Sequence, residues 1–93
     1  MKYISHDGYD IFPAGQQLRN QDGSPGQWMA LASIVRWQND KIMAVPVSWY
    51  PPEFETELAA ETYAASAAKQ MIDAGRVYNL TSYPFPLSCQ IRY

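Results

Sequence analysis

Between Tyr9 and Tyr50 hydrophobic residues recur at alternate positions in three successive stretches, and from Thr56 to Ala74 they recur every three or four. The first spacing is that of strands and the second that of a helix. The middle stretch, Gln27–Gln38, places Trp28, Ala30, Ala32, Ile34 and Arg36 on one side and Met29, Leu31, Ser33, Val35 and Trp37 on the other. Two mostly apolar sides suit a central strand. Asn39-Asp40 follows, two residues that tolerate the left-handed region a tight reversal needs. Lys41–Tyr50 then sets Met43, Val45, Val47 and Trp49 against Ile42, Ala44, Pro46, Ser48 and Tyr50. The hairpin Gln27–Tyr50 is the element around which the chain is expected to fold. Pro46 has no N–H to give a ladder, so the second strand of the hairpin should be an edge there, or bulged.

Before the hairpin, Tyr9–Pro13 reads as a half-buried strand extending toward Leu18, with Ala14-Gly15 as a bulge candidate. Asn20–Gly26 supplies the reversal into the hairpin through its Asp-Gly and Pro-Gly pairs. After it, Pro51-Pro52 is expected to end the sheet. Thr56 caps a helix running to about Ala74, and Gly75 is placed to terminate it in the left-handed conformation. At 100° per residue Leu58, Ala64, Ala65, Ala68, Met71 and Ile72 share the inward face, while Glu57 and Glu61 interrupt it, so the helix N-terminus should overhang the sheet. In the tail, Leu87, Cys89, Ile91 and Tyr93 alternate with polar residues and predict a further strand over 87–93, with the first strand as its partner because Pro46 blunts the other edge.

The order strand, strand, strand, helix defines an α+β fold: an antiparallel three- to four-stranded sheet with one α-helix packed on one face. Ninety-three residues fit a single domain, 1–93, with its core in 8–75 and a tail in 76–93. No apolar run approaches the roughly 18 residues of a membrane span, and the first fifteen residues hold Lys2, Asp7 and Asp10 but no apolar signal core. A cytoplasmic protein is expected, and the single cysteine, Cys89, agrees with a reducing compartment.

The residues Gly8-Tyr9-Asp10-Ile11-Phe12-Pro13, Gln27-Trp28-Met29-Ala30-Leu31-Ala32-Ser33-Ile34, Phe54-Glu55-Thr56 and Met71-Ile72-Asp73 resemble those of small uncharacterised β-β-β-α proteins of proteobacteria. The resemblance spans about Gly8 to Gly75 and implies a bacterial protein of this fold. That group has no established activity, so no functional residue carries over. The proline-containing tail departs from the pattern, since those proteins usually stop soon after the helix.

Charge narrows the function further. Seven basic and nine acidic residues give a net charge of −2, and the basic residues are scattered, which argues against nucleic acid as a partner. The acids Glu53, Glu55, Glu57 and Glu61 fit the dipole of a helix N-terminus. A weak nucleic-acid binder and a small enzyme or enzyme subunit are the alternatives. His6 with Asp7 and Asp10 could form a base with its orienting carboxylate or part of a metal site, but a turn residue is the simpler reading. Cys89 would need His6 from the other end of the chain to act as a nucleophile. There is no strained Gly-x-Ser-x-Gly elbow and no phosphate-cradling loop. No catalytic, metal or cofactor-binding residue is assigned, and no cofactor is expected. The aromatic residues stand out at 14% of the chain. One helix cannot cover both faces of a sheet, so Trp28, Trp37, Trp49 and Tyr50 are the candidate contacts of a non-enzymatic protein-interaction module. Its partner would be an unidentified protein or a second copy of the chain, met through an open aromatic sheet face or a free strand edge.

Overall fold

The computed structural model describes residues 3–78 and 80–83. Five strands, β1 (Ile4–His6), β2 (Tyr9–Arg19), β3 (Pro25–Gln38), β4 (Lys41–Phe54) and β5 (Thr81–Tyr83), form one antiparallel sheet in the order β1-β2-β3-β4-β5, and the helix α1 (Glu57–Asp73) packs on one face. The three long strands, the hairpin and the single helix are those the hydrophobic pattern implies. The β3–β4 reversal is the two-residue turn Asn39-Asp40, with φ of 53° and 64°, the positive values a type I′ turn requires. Asp7-Gly8 joins β1 to β2 in the same way, with φ of 53° and 86°. In the longer β2–β3 turn, the Ser24 hydroxyl and amide both donate to Asp22, at 2.6 and 2.9 Å, and hold its carboxyl below the usual carboxylate range.

Two features of the strands differ from expectation. Pro51-Pro52 does not end the sheet: β4 runs on to Phe54 because the register slips between Ala30↔Trp49 and Trp28↔Phe54, where β4 takes five residue steps against two in β3. The prolines sit in that bulge, out of the ladder, so their missing N–H groups cost nothing there. At the other side, β2 pairs in continuous register from Asp10 to Gln17 and its irregularity lies between Gln17 and Arg19, not at Ala14-Gly15. Gly15 serves the helix instead. A Cβ at that position would stand 3.2 Å from the Ala60 Cβ and 3.3 Å from the Glu57 carbonyl oxygen.

That close approach also seats the N-terminal end of α1 on the sheet rather than beyond its edge. Thr56 caps the helix, its hydroxyl accepting from the Ala59 amide at 3.1 Å, and Gly75 follows it at φ 69°. The ridge that meets the sheet is Ala60, Ala64, Ala68 and Ile72, one residue per step of four. Leu58, assigned inward by its average projection, is 71% exposed. Against the ridge lie Ile11 of β2 and Ala30, Ala32 and Ile34 of β3, all buried, with Trp28, Val45, Val47, Trp49 and Phe54 partly buried around them. The core is thin and rich in alanine, so α1 lies close to β2 and β3.

The tail returns to the sheet. Thr81, Ser82 and Tyr83 pair with Ala44, Met43 and Ile42 of β4. The strand expected over 87–93, with its partner, falls outside the described residues.

Candidate interaction surface

Alternation along β2, β3 and β4 leaves one side of the sheet without a helix among the described residues. On it stand Phe12, Leu31, Val35, Ile42 and Ala44, each half-buried by its neighbours, and Trp37, 55% exposed. The register lines these residues up, since Phe12 faces Ser33, Val35 faces Ala44 and Trp37 faces Ile42 across the ladders. From Phe12 to Gln16, Met29 to Trp37 and Ile42 to Ser48 this side carries no charged residue. Asp10 lies at its margin, where Ser5 Oγ donates to the carboxylate at 2.8 Å, and Tyr3 stacks on Phe12 with ring centroids 5.4 Å apart.

The four candidate contacts divide between the two sides. Trp28 and Trp49 are on the helix side, packed around the core, with Trp49 edge-on to Tyr63 at 6.4 Å. Trp37 is on the open side, and Tyr50, 57% exposed, stands where the β4 bulge begins. An open-face surface therefore draws on Trp37 and Tyr50, and gains Phe12, Leu31, Val35 and Ile42. These four were legible as the second apolar register of each strand, a weaker signal than a tryptophan.

Tyr50 donates its hydroxyl to Glu53 Oε2 at 2.8 Å across the bulge. That hydrogen bond, and behind it the repulsion between the carboxylate and a phenolate, raises the Tyr50 pKa above the ordinary 10.0. The protonated phenol is the form that bonds, so the contact is intact below the ordinary value and is lost as pH rises through the raised one. Glu53→Gln is expected to bring the Tyr50 midpoint back down, read from phenolate absorbance as the difference from Tyr50→Phe titrated in parallel.

The outward side of β2 and that of β4 each carry a proline just past the flanking strand. In an antiparallel ladder alternate residues direct their N–H and C=O to the same side. Tyr9 and Ile11 are paired with His6 and Ile4, and Pro13 is the next residue of β2 directed outward, past the end of β1. On β4, Ile42 and Ala44 pair with Tyr83 and Thr81, and Pro46 is the next directed outward, past β5. Each proline thus stands where a flanking strand stops and removes a donor that an incoming strand would use. Pro46 faces away from β3, as its chemistry requires.

Beside the bare part of β2 an open groove of about 1100 Å³ runs along α1, walled by Pro13, Tyr3, Leu58, Glu61, Thr62 and Ala65 among others. It is open to solvent. The second hollow, about 310 Å³, lies between Trp49, Tyr63, Met71 and Arg76 on the other flank of the helix.

The polar residues singled out for chemistry are kept apart. His6 Nε2 and Asp73 Oδ1 are 2.7 Å apart, tying β1 to the last turn of α1, whereas Asp10 is on the opposite side of the sheet with Ser5. Cys89 lies outside the described residues. Among the described residues no three His, Cys, Asp or Glu side chains converge as metal ligands, and no helix is long and apolar enough to cross a membrane. Comparison with protein-family models, with curated proteins and with solved structures finds no match for this chain.

Proposed function

We propose that the protein is a non-enzymatic, cytoplasmic interaction module that recruits a protein partner through the open side of its sheet. The observation that carries this reading is the side opposite α1, uncharged and largely apolar across three strands, with Gln16, Ser33 and Ser48 as its polar members, and occupied by no element among the described residues. Exposed apolar residues on a sheet face mark contact surfaces more often than chance, and depletion of charge is the compositional mark of an interface centre. Trp37 is its aromatic anchor, with Tyr50 at its rim. A nucleic-acid partner fits less well, because stacked bases need cations nearby to hold the phosphate chain and the described residues put none on this side from Phe12 to Gln16, Met29 to Trp37 and Ile42 to Ser48. Kinship with the small β-β-β-α proteins of proteobacteria belongs to the same proposal, and rests on the sequence motifs.

The test compares baits. The wild-type chain and a Leu31→Lys variant are used to capture proteins from the native host, and the captured proteins are identified by mass spectrometry. Proteins retained by the first and lost by the second, with the variant still folded by circular dichroism, are the expected result. Identical profiles from both baits would place the binding surface elsewhere.

A further inference from the structure

We infer that Asp7 is a site of spontaneous isoaspartate formation in the folded chain, and that the product is a substrate for a carboxyl methyltransferase using S-adenosylmethionine. The reaction favours an aspartate followed by glycine, because the second residue's backbone nitrogen must reach the side-chain carbon of the first without a side chain in the way. The chain holds two such pairs, Asp7-Gly8 and Asp22-Gly23, and both are exposed. The structure leaves the first free to react and ties up the second.

The bonds balance with water alone. Gly8 N gives up its proton and bonds to Asp7 Cγ, the Cγ–OH bond of the protonated carboxyl breaks, and proton and hydroxyl leave as one water. Water then opens the cyclic imide. Attack at Cγ restores aspartate, whereas attack at the backbone carbonyl routes the chain through Cβ and Cγ and leaves the α-carboxylate as a side group. That side group is what the methyltransferase esterifies.

At Asp7 the turn is already close to the shape of the ring. Closure requires rotation about the Cα–C bond of Asp7, and Asp7 and Gly8 stand at φ of 53° and 86°, a type I′ turn. Keeping φ positive at Asp7 and reversing it at Gly8 gives a type II′ turn, the other two-residue reversal that fits a hairpin. Glycine takes either sign of φ at no steric cost. The ladder closes on His6 and Tyr9, so the rotation breaks no strand pair. Among the described residues neither the Gly8 N–H nor the Asp7 carboxylate has a hydrogen-bond partner, and the space around Gly8 is open to 4 Å.

Asp22 is guarded at both reacting groups. The Gly23 N–H donates to the Asn20 carbonyl at 2.9 Å, so the attacking nitrogen is held in a turn of its own. The carboxylate accepts from the Ser24 hydroxyl and amide, which fixes its direction and keeps it in the unreactive charged form. A methylene added to the backbone at Asp7 falls beside His6, whose contact with Asp73 ties β1 to α1, so the altered turn also bears on how β1 is held.

The full chain is aged near neutral pH in water enriched in heavy oxygen, which each imide opening incorporates, and a second sample is aged in guanidinium chloride. Trypsin, used in ordinary water, separates the sites into Tyr3–Arg19 and Asn20–Arg36, and fragmentation assigns the label to Asp7 rather than Asp10. Both pairs are expected to label at similar rates when unfolded. In the folded chain Asp22 should label at least ~10-fold more slowly than Asp7, the factor that one hydrogen bond to a charged group supplies. Ser24→Ala, checked for folding by circular dichroism, should raise the Asp22 rate and leave that of Asp7 unchanged. Equal labelling of the two sites in the folded chain, label confined to the unfolded sample, or an Asp22 still protected in Ser24→Ala would overturn the inference. Purified isoaspartyl methyltransferase with radiolabelled S-adenosylmethionine should mark Tyr3–Arg19 of the aged folded chain. Heavy oxygen there without methyl label would overturn the methyltransferase assignment.

Discussion

Replacing Ile34 by alanine is expected to lower the unfolding free energy by about 2–5 kcal/mol, with the result toward the upper end. Ile34 and Ile11 are the largest fully buried side chains among the described residues, and they face each other across the β2–β3 ladder beneath α1. The cost of such a truncation depends on how far the surroundings can collapse into the space left behind. Here the collapse is limited, because three of the four buried residues of the helix ridge, Ala60, Ala64 and Ala68, have no rotamers with which to reach inward. The helix cannot settle closer either, with Ala60 and Glu57 already against Gly15. A domain of 93 residues has about 5–14 kcal/mol of stability in total, so the loss is a large share of it. Urea denaturation followed by tryptophan fluorescence measures it as a lower midpoint at an unchanged slope. A loss below ~1 kcal/mol would mean that the sheet and helix repack freely, contrary to the contact at Gly15.

How much of this was legible before any coordinates depends on which residues carry information alone and which only through their neighbours. The hairpin was legible because Asn39-Asp40 is a local signal and the strands on either side have period two. Pro46 announced an edge because a missing N–H is a property of one residue. The helix ends were legible for the same reason, through Thr56 and Gly75. The inward ridge of α1 was not. Each step of four residues along a helix turns by ~40° from the axial line, so the stripe Ala60–Ala64–Ala68–Ile72 winds around the helix. Leu58 is only ~40° from Ile72 in projection but ~160° from Ala60, its neighbour along the axis, and it points out. An average projection weighted by hydrophobicity favours leucine over alanine and misses this. Gly15 was ambiguous in the same way, since a glycine in a strand signals either a bulge or a close approach, and only the position of α1 decides. The continuation of β4 past Pro51-Pro52 required a register slip that no single residue marks. At the candidate surface, the tryptophans drew attention to both sides of the sheet equally. Phase relative to the helix, set by Ile11, Ala30 and Ile34, is what assigns Trp28 and Trp49 to one side and Trp37 to the other.

Ala64→Leu is the second substitution with a large expected effect, about 1–3 kcal/mol of destabilisation or more, and it tests the alanine ridge directly. Ala64 is fully buried midway between Ala60 and Ala68, where the ridge meets β2 and β3. Leucine forms helix nearly as well as alanine, so any loss reports packing and not helix propensity. Its three extra carbons have to go between α1 and the sheet, and they can do so only by lifting the helix off Gly15 and away from Ile11 and Ile34. Leu58→Lys is the companion measurement: on the exposed flank of the same helix it is expected to change stability by less than ~0.5 kcal/mol. The pair also separates the fold from the proposed surface, because α1 and the open side are on opposite sides of one sheet. Under conditions where Ala64→Leu remains folded, it should capture the same proteins as the wild-type chain, whereas Leu31→Lys, on the open side, should lose them. If Ala64→Leu unfolds no more easily than Leu58→Lys, the helix-to-sheet distance is set by something other than the alanine ridge, and the explanation given for Gly15 fails with it.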